Sequence, residues 1–332
     1  MAKQRAKAIC LISGGVDSSL AALLLKEQGI EVIGLNFILP FEEIFKLRAE
    51  TAARRIARHL GIELRVMTMD EDYIELLRNP PHGYGSQVNP CIDCHIYMFR
   101  KAKVLMEREA ADFVATGEVL GQRPMSQRAD TLRLIEKESG LQGYLLRPLS
   151  ALLLEPTVPE KQGIVERAKL LAMRGRSRKE ILAIARARGL KDFSSPAGGC
   201  LFTDPGFAKR VRDLIDHDAL SLKELRRLAI GRHLRLPAGS KLIVGRNQQE
   251  NEIIARLVDR DEFLLRTVSV PGPTAILADT NADELDVASA IVARYSDALE
   301  GEGVEIEVSK AGQSYKVTSL PLAKDDVSRL VI

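Results

Sequence analysis

The stretch AKAICLISGGVDSSLAALLLKEQG, residues 6–29, carries the strongest structural signal in the chain. Ala8 to Ile12 form a short apolar run, which is typical of a buried strand. Leu20 to Gln28 follow a helical pattern that Gly29 is expected to end. Because glycines let backbone N–H groups approach an anion and a helix N-terminus carries partial positive charge, the turn between these elements is predicted to bind phosphate.

The turn reads SGGVDSS. It lacks the Lys-Ser/Thr ending of the Walker A phosphate loop, and it does not have the G-x-G-x-x-G pattern of dinucleotide sites. Its hydroxyls add hydrogen-bond donors, and the carboxylate of Asp17 is a ligand suited to Mg²⁺. An ordinary serine-rich helix cap is the alternative interpretation. The candidate loop residues are Ser13, Gly14, Gly15, Val16, Asp17, Ser18 and Ser19.

The pattern S-G-G-x-D-S resembles the pyrophosphate loop, or PP-loop, of the ATP pyrophosphatase superfamily. The resemblance implies binding of ATP, its cleavage between the α and β phosphates, and adenylation of a second substrate. It also implies that the end of the second strand lines the adenine pocket, which makes Asn36 and Phe37 candidate contacts. Thr116 and Gly117, at the end of a later strand, resemble the second nucleotide-contact motif of this superfamily.

The segments after the loop continue an alternation of strands and helices. EVIGLNF (residues 31–37) and IELRVMTM (62–69) are expected strands, and a fourth strand is expected within residues 111–127. One amphipathic helix is expected over residues 41–61. This alternation predicts an α/β fold with a doubly wound parallel sheet, in which ligands bind at the C-terminal ends of the strands.

The motif NPCIDCH, residues 89–95, places His95 directly after the pair Cys91 and Cys94. The pattern C-x-x-C-H is open to haem attachment, a zinc site, a redox pair or an iron–sulfur site. Haem attachment normally takes place outside the cytoplasm, and no export signal is visible. A third cysteine, Cys200, follows two glycines in SSPAGGCLFTD, a tight turn suited to presenting a ligand or a nucleophile.

Three thiolates suit a 4Fe–4S cluster that leaves one iron without a protein ligand. A structural zinc site needs a fourth ligand, for which His95 is available. The third option is a persulfide on Cys200 that Cys94 resolves as a disulfide. The presence of Cys91 favours the cluster, because persulfide chemistry needs only two cysteines.

Two further segments resemble enzymes of tRNA thiolation. TGEVLGQRPMSQ (116–127), followed by LLRPL (145–149), resembles the tRNA 4-thiouridine synthetases, and NPCIDCH is similar to the N-P-x-x-x-C segment of the tRNA 2-thiouridylases. The resemblance covers residues 8–205. It implies a tRNA sulfurtransferase with Asp17, Cys94 and Cys200 as catalytic residues and with sulfide or a cysteine desulfurase as sulfur donor. Thiolation at C4 of uridine is favoured over C2.

The segment 166–193 is basic in its middle, at Arg174, Arg176, Arg178 and Lys179, and such clusters neutralise RNA phosphates. A solvated helix face is the alternative. The segment 231–277, with VGRNQQEN and VPGP, resembles the RNA-binding domain of the NFACT family, a likeness that covers residues 220–332. Its expected phosphate-facing residues are Arg226, Arg227, Arg232, Arg235, Lys241 and Arg246. A dimerisation or packing domain is the alternative, which leaves a homodimer as an option.

The chain has 332 residues, 45% of them hydrophobic, which suits two or three domains. The expected segments are a PP-loop ATP-binding domain (1–160), a basic helical segment with the third cysteine (161–215) and an NFACT-like domain (216–332). No apolar run approaches the ~20 residues that span a bilayer, so we expect a cytoplasmic protein without a membrane partner. Two other functions remain open: a different adenylating or amidating enzyme, and a zinc-containing RNA-binding protein.

Overall fold

The computed structural model describes residues 5–46, 49–194, 199–278, 284–299 and 301–332. The chain forms two compact units, residues 1–204 and 205–332, and each has its own sheet and core. Within the described ranges, no helix is long and apolar enough to cross a lipid bilayer. The expected three-segment division at residues 160 and 215 stays a prediction.

The first unit contains a five-stranded parallel sheet with the order β3-β2-β1-β4-β5. Its strands are β1 (Lys7–Leu11), β2 (Glu31–Ile38), β3 (Glu63–Thr68), β4 (Phe113–Ala115) and β5 (Leu145–Leu146). Ala8 of the central strand is in register with Val32 on one side and Phe113 on the other. The chain builds β2 and β3 on one side of β1 and returns to its other side for β4, so the topological switch point lies beside β1. This confirms the predicted doubly wound α/β fold.

Helices cover both faces of this sheet, and the residues of β1 alternate between two cores. Ala8 and Cys10 face a core with α1 and α3, whereas Ile9 faces a core with α5 and α6. Burial raises the pKa of the Cys10 thiol to about 12. The helices are α1 (Val16–Glu27), α2 (Pro40–Lys46), α3 (Ala52–Leu60), α4 (Glu71–Arg78), α5 (Cys91–Arg108), α6 (Ala129–Glu138), α7 (Val158–Lys161) and α8 (Lys179–Ala187).

The single helix expected over residues 41–61 was wrong in its continuity, because the segment contains two helices, α2 and α3. The side chain of Thr51 accepts a hydrogen bond from the Arg54 N–H and thereby starts α3. A threonine in this position satisfies a donor that a helix start leaves free, so it favours a new helix. The predicted end at Gly61 is confirmed, since Gly61 adopts φ +58° there.

The second unit contains a six-stranded antiparallel sheet with the order β11-β10-β8-β9-β7-β6. Its strands are β6 (Arg232–Arg235), β7 (Lys241–Val244), β8 (Phe263–Thr267), β9 (Thr274–Leu277), β10 (Val304–Lys310) and β11 (Gln313–Ser319). Its helices are α9 (Pro205–Asp216), α10 (Leu222–Arg227), α11 (Gln248–Leu257), α12 (Leu285–Arg294) and α13 (Lys324–Leu330). This confirms a smaller C-terminal α+β domain in addition to the α/β unit.

A buried ion network lies inside the second unit. The guanidinium of Arg227 is 1% exposed and donates to Glu224 at 2.8 Å and to Glu262 at 2.8 and 2.7 Å. Lys241 is also buried, and its ammonium lies 3.9 Å from Asp213 and from Glu224. Burial lowers the pKa of Lys241 to about 8. Arg227 and Lys241 were expected to face RNA phosphates, but their carboxylate partners hold both in the interior.

We predict that Arg227→Ala lowers the free energy of unfolding of the second unit by about 3–5 kcal/mol, because it removes the buried guanidinium that Glu224 and Glu262 share. Amide hydrogen exchange in β7 and β9 during urea titration measures the change. The control is Arg256→Ala, which removes a 78% exposed side chain that lies 4.0 Å from Glu252. That control should change stability by less than about 0.5 kcal/mol. Equal effects of both variants would contradict a desolvated network.

Candidate nucleotide and cysteine sites

The Ser13–Ser19 loop follows the central strand directly and is pressed against the start of α3. Gly14 has φ +83°, and a Cβ atom there would lie 2.5 Å from the backbone nitrogen of Ala53. Only glycine fits both the backbone conformation and the space. Gly15 is the N-cap of α1, so the loop leads straight into a helix N-terminus at the C-terminal end of β1.

The three serine hydroxyls of the loop fix its shape. Ser13 Oγ accepts from the Gly15 N–H at 3.3 Å, and Ser18 Oγ accepts from the Ser13 N–H at 3.2 Å. The hydroxyls of Ser18 and Ser19 donate to the Gly15 carbonyl at 3.1 and 2.8 Å. The loop therefore holds one conformation through its own side chains, as a preorganised anion site requires.

Asp17 has one paired and one unpaired carboxylate oxygen. Arg178 Nε donates to Asp17 Oδ2 at 3.1 Å. Asp17 Oδ1 is buried and has no hydrogen-bond donor within the described part of the chain. A buried carboxylate oxygen without a donor is costly unless a cation or another ligand approaches it. This oxygen therefore fits the expected Mg²⁺ ligand.

The other candidate nucleotide residues lie at neighbouring strand ends. A Cβ at Gly117 would lie 2.5 Å from the backbone nitrogen of Ser18, so the end of β4 touches the first turn of α1. Asn36 donates its side-chain amide to the Ile12 carbonyl at 2.8 Å, and Phe37 packs half-buried in the core beneath α5. Thr116 is buried beside Gly117. The structure brings these residues to one edge of the sheet, and their nucleotide contacts stay a prediction.

Two residues at or next to the basic segment, Arg178 and Ser194, contact the PP-loop. Ser194 donates its N–H to the Gly14 carbonyl at 2.8 Å, and Arg178 pairs with Asp17. Arg174 is exposed next to the segment 116–127, where it forms a bridge with Leu120. The exposed side chains of Arg176 and Lys179 lie along the same segment. Arg178 thus lies at the nucleotide loop, whereas the other three basic residues lie at the surface.

The pair Cys91 and Cys94 lies in the first turn of α5, and both thiols are half-buried. The Tyr73 hydroxyl is 3.9 Å from Cys94 Sγ. Cys200 precedes a 3-10 helix (Leu201–Thr203) and is exposed at its surface. That short helix is anchored by Phe202, whose buried ring packs edge-to-face on Phe41 of α2 at 5.3 Å between centroids.

The three thiols lie within electrostatic reach of one another. Burial raises the pKa of Cys94 to about 12, and the charges of Cys200 and Cys91 raise it further. Desolvation by the surrounding protein likewise raises the pKa of Cys200 to about 11, with Cys91 contributing. No disulfide joins them. Among the described residues, no group of three or more histidine, cysteine, aspartate or glutamate side chains is arranged to hold a metal ion. Residues 195–198, shortly before Cys200, lie outside the described residues.

His95 is held by a buried ion network. Its Nδ1 is 2.8 Å from Glu118 Oε1, and Glu118 Oε2 accepts from Arg147 Nε at 3.0 Å. Arg147 also donates to Glu136 at 2.9 Å. Glu118 and Arg147 are both 4% exposed. The first nitrogen of His95 is therefore occupied, which leaves only its second nitrogen for the zinc option.

Sequence reasoning did not assign roles to Glu118 and Arg147, although both lie in the quoted motifs TGEVLGQ and LLRPL. The available signal is a charged residue within an apolar surrounding, which in a folded protein requires a buried partner. Asp93, inside NPCIDCH, is another such residue. It is 3% exposed and its Oδ1 lies 2.7 Å from His82 Nδ1.

A cleft of about 470 Å³ opens beside the start of α5. Tyr84, Met125 and the exposed Arg128 contribute to its lining. The neighbouring Gly85 N–H donates to the Asn89 carbonyl, two residues before Cys91. The cleft is thus lined by the segment before α5 and by residues 124–131.

The candidate RNA-binding residues of the second unit make internal contacts. The guanidinium of Arg232 lies 4.5 Å from the Tyr295 ring centroid and donates to the Gly245 carbonyl. Arg246 is exposed, and its Nε donates to both carboxylate oxygens of Glu250 at 3.0 Å. Both side chains are therefore preordered, and their RNA contacts stay a prediction.

The first unit has the architecture of PP-loop nucleotide-binding proteins, with a glycine- and serine-rich loop between the central strand of a parallel sheet and a helix. The chain belongs to the tRNA methyl transferase HUP domain family, whose model matches residues 6–177. The model of the NFACT protein RNA binding domain matches residues 231–330. The first match supports the resemblance to PP-loop enzymes of tRNA thiolation, and the second confirms the resemblance to the NFACT RNA-binding domain.

Curated proteins are similar to part of this chain. The tRNA-specific 2-thiouridylase MnmA of Clostridium acetobutylicum is 36% identical over 128 residues, which is 33% of this chain and 35% of that protein. The protein of the same name from Clostridium kluyveri is 34% identical over 167 residues, 46% of each chain. The chain thus spans about a third to a half of the length of these curated relatives. A solved 4-thiouridine synthetase–RNA complex with bound ATP aligns with a TM-score of 0.41 and 23% identity, covering 68% of this chain and 53% of that chain.

Glu118 is predicted to stabilise the first unit in a pH-dependent manner. Burial alone would raise its pKa, but Arg147 and His95 more than offset this, so the pKa lies below its usual value. A carboxyl group with a lowered folded pKa stabilises the fold above its unfolded pKa of about 4.3, and this contribution disappears as pH falls through the folded pKa. Glu118→Gln should therefore cost about 3–5 kcal/mol at pH 7 and progressively less below pH 4.3.

Urea unfolding of the first unit across this pH range measures the difference from the wild type. Glu75→Gln is the matched control, because Glu75 is 69% exposed and its partner Arg78 is 3.4 Å away. The control should stay within about 0.5 kcal/mol at every pH. A constant difference between Glu118→Gln and the wild type from pH 7 to pH 3 would contradict the stabilising role of the ionised carboxylate.

Proposed function

We propose that the protein is an ATP-dependent tRNA sulfurtransferase that adenylates a uridine and replaces its oxygen with sulfur. The observation that carries the proposal is that the candidate nucleotide loop and the cysteine-bearing helix both contact one strand end of the first unit. Gly117 touches the PP-loop, and the adjacent Glu118 holds the cysteine-bearing helix through His95. A reaction that activates a base and then delivers sulfur needs these sites close together.

The first half of the proposed reaction uses the loop. The uridine carbonyl oxygen attacks the α-phosphorus of ATP, the bond between the α-phosphorus and the bridging oxygen breaks, and pyrophosphate leaves. Asp17 would hold Mg²⁺ through its unpaired oxygen Oδ1, and Arg178, which pairs with the other oxygen, would add positive charge beside the phosphates. The serine-shaped loop and the helix N-terminus would hold the phosphates.

The second half delivers sulfur. Hydrosulfide attacks the activated carbon, AMP leaves with the original oxygen, and the base becomes a thiouridine. We propose that Cys91, Cys94 and Cys200 hold a 4Fe–4S cluster, a group whose soft iron ions favour thiolate ligands. When bound, the cluster would supply an open iron for sulfide. The proposed sulfur donor is free sulfide, or a cysteine desulfurase together with a thiol reductant that releases its persulfide sulfur as sulfide. The three cysteines are free, and their soft thiolates are the donors that the cluster prefers.

The RNA is proposed to be tRNA, held through phosphates and not through base sequence. Arg174, Arg176 and Lys179 are exposed on the segment that crosses the PP-loop, so they would bind phosphates near the activation site. Arg232 and Arg246 would contribute in the second unit. The target base must leave its stack to reach the sites. The cleft beside α5, with Tyr84 and Arg128, offers a ring face and a cation for the displaced nucleotide.

We propose C4 of uridine as the thiolated carbon, because the segment TGEVLGQ…SQ resembles the 4-thiouridine synthetases. C2 is the second candidate, which the 2-thiouridylase relatives favour. Mass spectrometry of nucleosides from tRNA incubated with the protein, ATP, Mg²⁺ and sulfide under anaerobic conditions distinguishes the two products. If neither thiouridine is detected, the proposed sulfurtransferase activity is refuted.

Asp17→Asn is predicted to lower tRNA-dependent pyrophosphate release by about 10²–10³-fold, because it removes a charged ligand preorganised at the phosphates. Iron content after anaerobic purification should not change. Asp192→Asn is the matched control, since Asp192 is exposed on the same crossing segment and should leave release unchanged. Unchanged release in Asp17→Asn would refute the loop assignment. Substrate-stimulated release that needs no tRNA would indicate a different adenylating enzyme.

The cysteine site is tested by metal analysis of anaerobically purified protein. The wild type should contain about four irons and four sulfides. Serine at position 91, 94 or 200 should lower both contents, whereas Cys10→Ala should not, because Cys10 is buried in β1. An active, iron-free protein that tolerates Cys91→Ser would indicate persulfide transfer. One zinc per chain with ATP-independent RNA binding would indicate the non-catalytic alternative.

A further inference from the structure

The side chain of Asn89 points its amide at the sulfur of Cys91. The distance from Asn89 Nδ2 to Cys91 Sγ is 3.3 Å, and the same nitrogen lies 3.9 Å from Met125 Sδ. Asn89 is 6% exposed, so little water competes for this amide. We infer that Asn89 is a positioning residue that donates an N–H···S hydrogen bond to the Cys91 thiolate and thereby strengthens metal binding by the three cysteines. The inference rests on the proposed cysteine site.

The orientation of the carboxamide is fixed by its other contact. Asn89 Oδ1 accepts a hydrogen bond from the backbone N–H of Gln87 at 3.0 Å. A backbone N–H can only donate, so the oxygen must face Gln87 and the NH₂ group must face the sulfur. The reversed assignment would place two donors against each other and an acceptor against a thiolate.

The backbone around Asn89 holds this arrangement in place. The Asn89 carbonyl accepts from the N–H groups of Gly85 at 2.9 Å and Cys91 at 3.0 Å. A Cβ atom at Gly85 would lie 2.1 Å from Asn89 Nδ2, so the close approach requires glycine there. These hydrogen bonds fix the Asn89 backbone, and the contact of Oδ1 with the Gln87 N–H sets the direction of the side-chain amide.

The chemical effect follows from the charge on the sulfur. Metal binding requires the thiolate, and a donated N–H stabilises that negative charge. Partners of this kind, one step removed from the metal, typically change metal affinity by 10–100-fold when they are lost. Hydrogen bonds to cluster sulfurs also help to set the reduction potential. Asn89 would thus favour tighter binding of the cluster and would make the cluster easier to reduce.

The experiment uses Cd²⁺ as a thiolate-seeking probe on full-length, metal-free protein, with affinity measured by chelator competition. Asn89→Asp keeps the acceptor for Gln87 but replaces the donating NH₂ with an oxygen. We expect it to weaken Cd²⁺ binding by at least about tenfold. Asn79→Asp is the matched control, because Asn79 is exposed at the end of α4. Its affinity should equal that of the wild type.

The outcomes separate this inference from the proposed function. Equal Cd²⁺ affinity in Asn89→Asp and the wild type overturns the inference while leaving the cysteine site intact. Wild-type affinity that Cys91→Ser does not change overturns the cysteine site itself. In ¹¹³Cd-loaded wild type, which needs no variant, NMR should show a scalar coupling between the metal and the Asn89 side-chain amide protons. Absence of that coupling in protein whose three cysteines hold the metal also overturns the inference.

Discussion

The backbone contact between Gly117 and the first turn of α1 leaves room for a hydrogen atom only, and both candidate sites depend on it. The contact fixes the end of β4 against the PP-loop at Ser18. It thereby directs the next side chain, Glu118, to the other face of the strand end, where it meets His95 on the cysteine helix. Arg147, at the end of β5, neutralises that carboxylate in the interior. One strand end thus joins the phosphate loop to the thiols through short, rigid contacts.

The N-terminal end of α5, which carries Cys91 and Cys94, is also closely packed. Its preceding turn contains a glycine that admits the Asn89 amide, and its first turn carries a buried carboxylate, Asp93, bound to His82. Cys200 arrives from a separate part of the chain and is located by the packing of Phe202 on Phe41. Polar groups orient two of the thiols, and an aromatic contact places the third. The two kinds of contact respond differently to solvent, because only the aromatic one depends on apolar burial.

The parts of the fold that the sequence predicted well are those encoded locally. Apolar runs next to glycines indicated β1, the PP-loop and α1, because strand, turn and helix each need only neighbouring residues. The break within residues 41–61 was missed, since one threonine cap outweighed a continuous amphipathic pattern. The roles of Arg178 and Arg227 were also missed. Both read as surface charges in sequence, but Asp17 lies 161 residues from Arg178 and Glu262 lies 35 residues from Arg227, so only the folded chain brings these pairs together.

The Gly14 carbonyl accepts a hydrogen bond from the N–H of Ser194, a residue 180 positions later. The family match ends at residue 177, before this contact and before Arg178. The PP-loop therefore lacks its contacts with Arg178 and Ser194 until residues 161 and 180 positions later in the chain have been synthesised. Nascent chains of this protein would carry an unfinished nucleotide loop through most of the synthesis of the first unit. ATP binding would thus report the completion of the whole unit and not the presence of its signature motif.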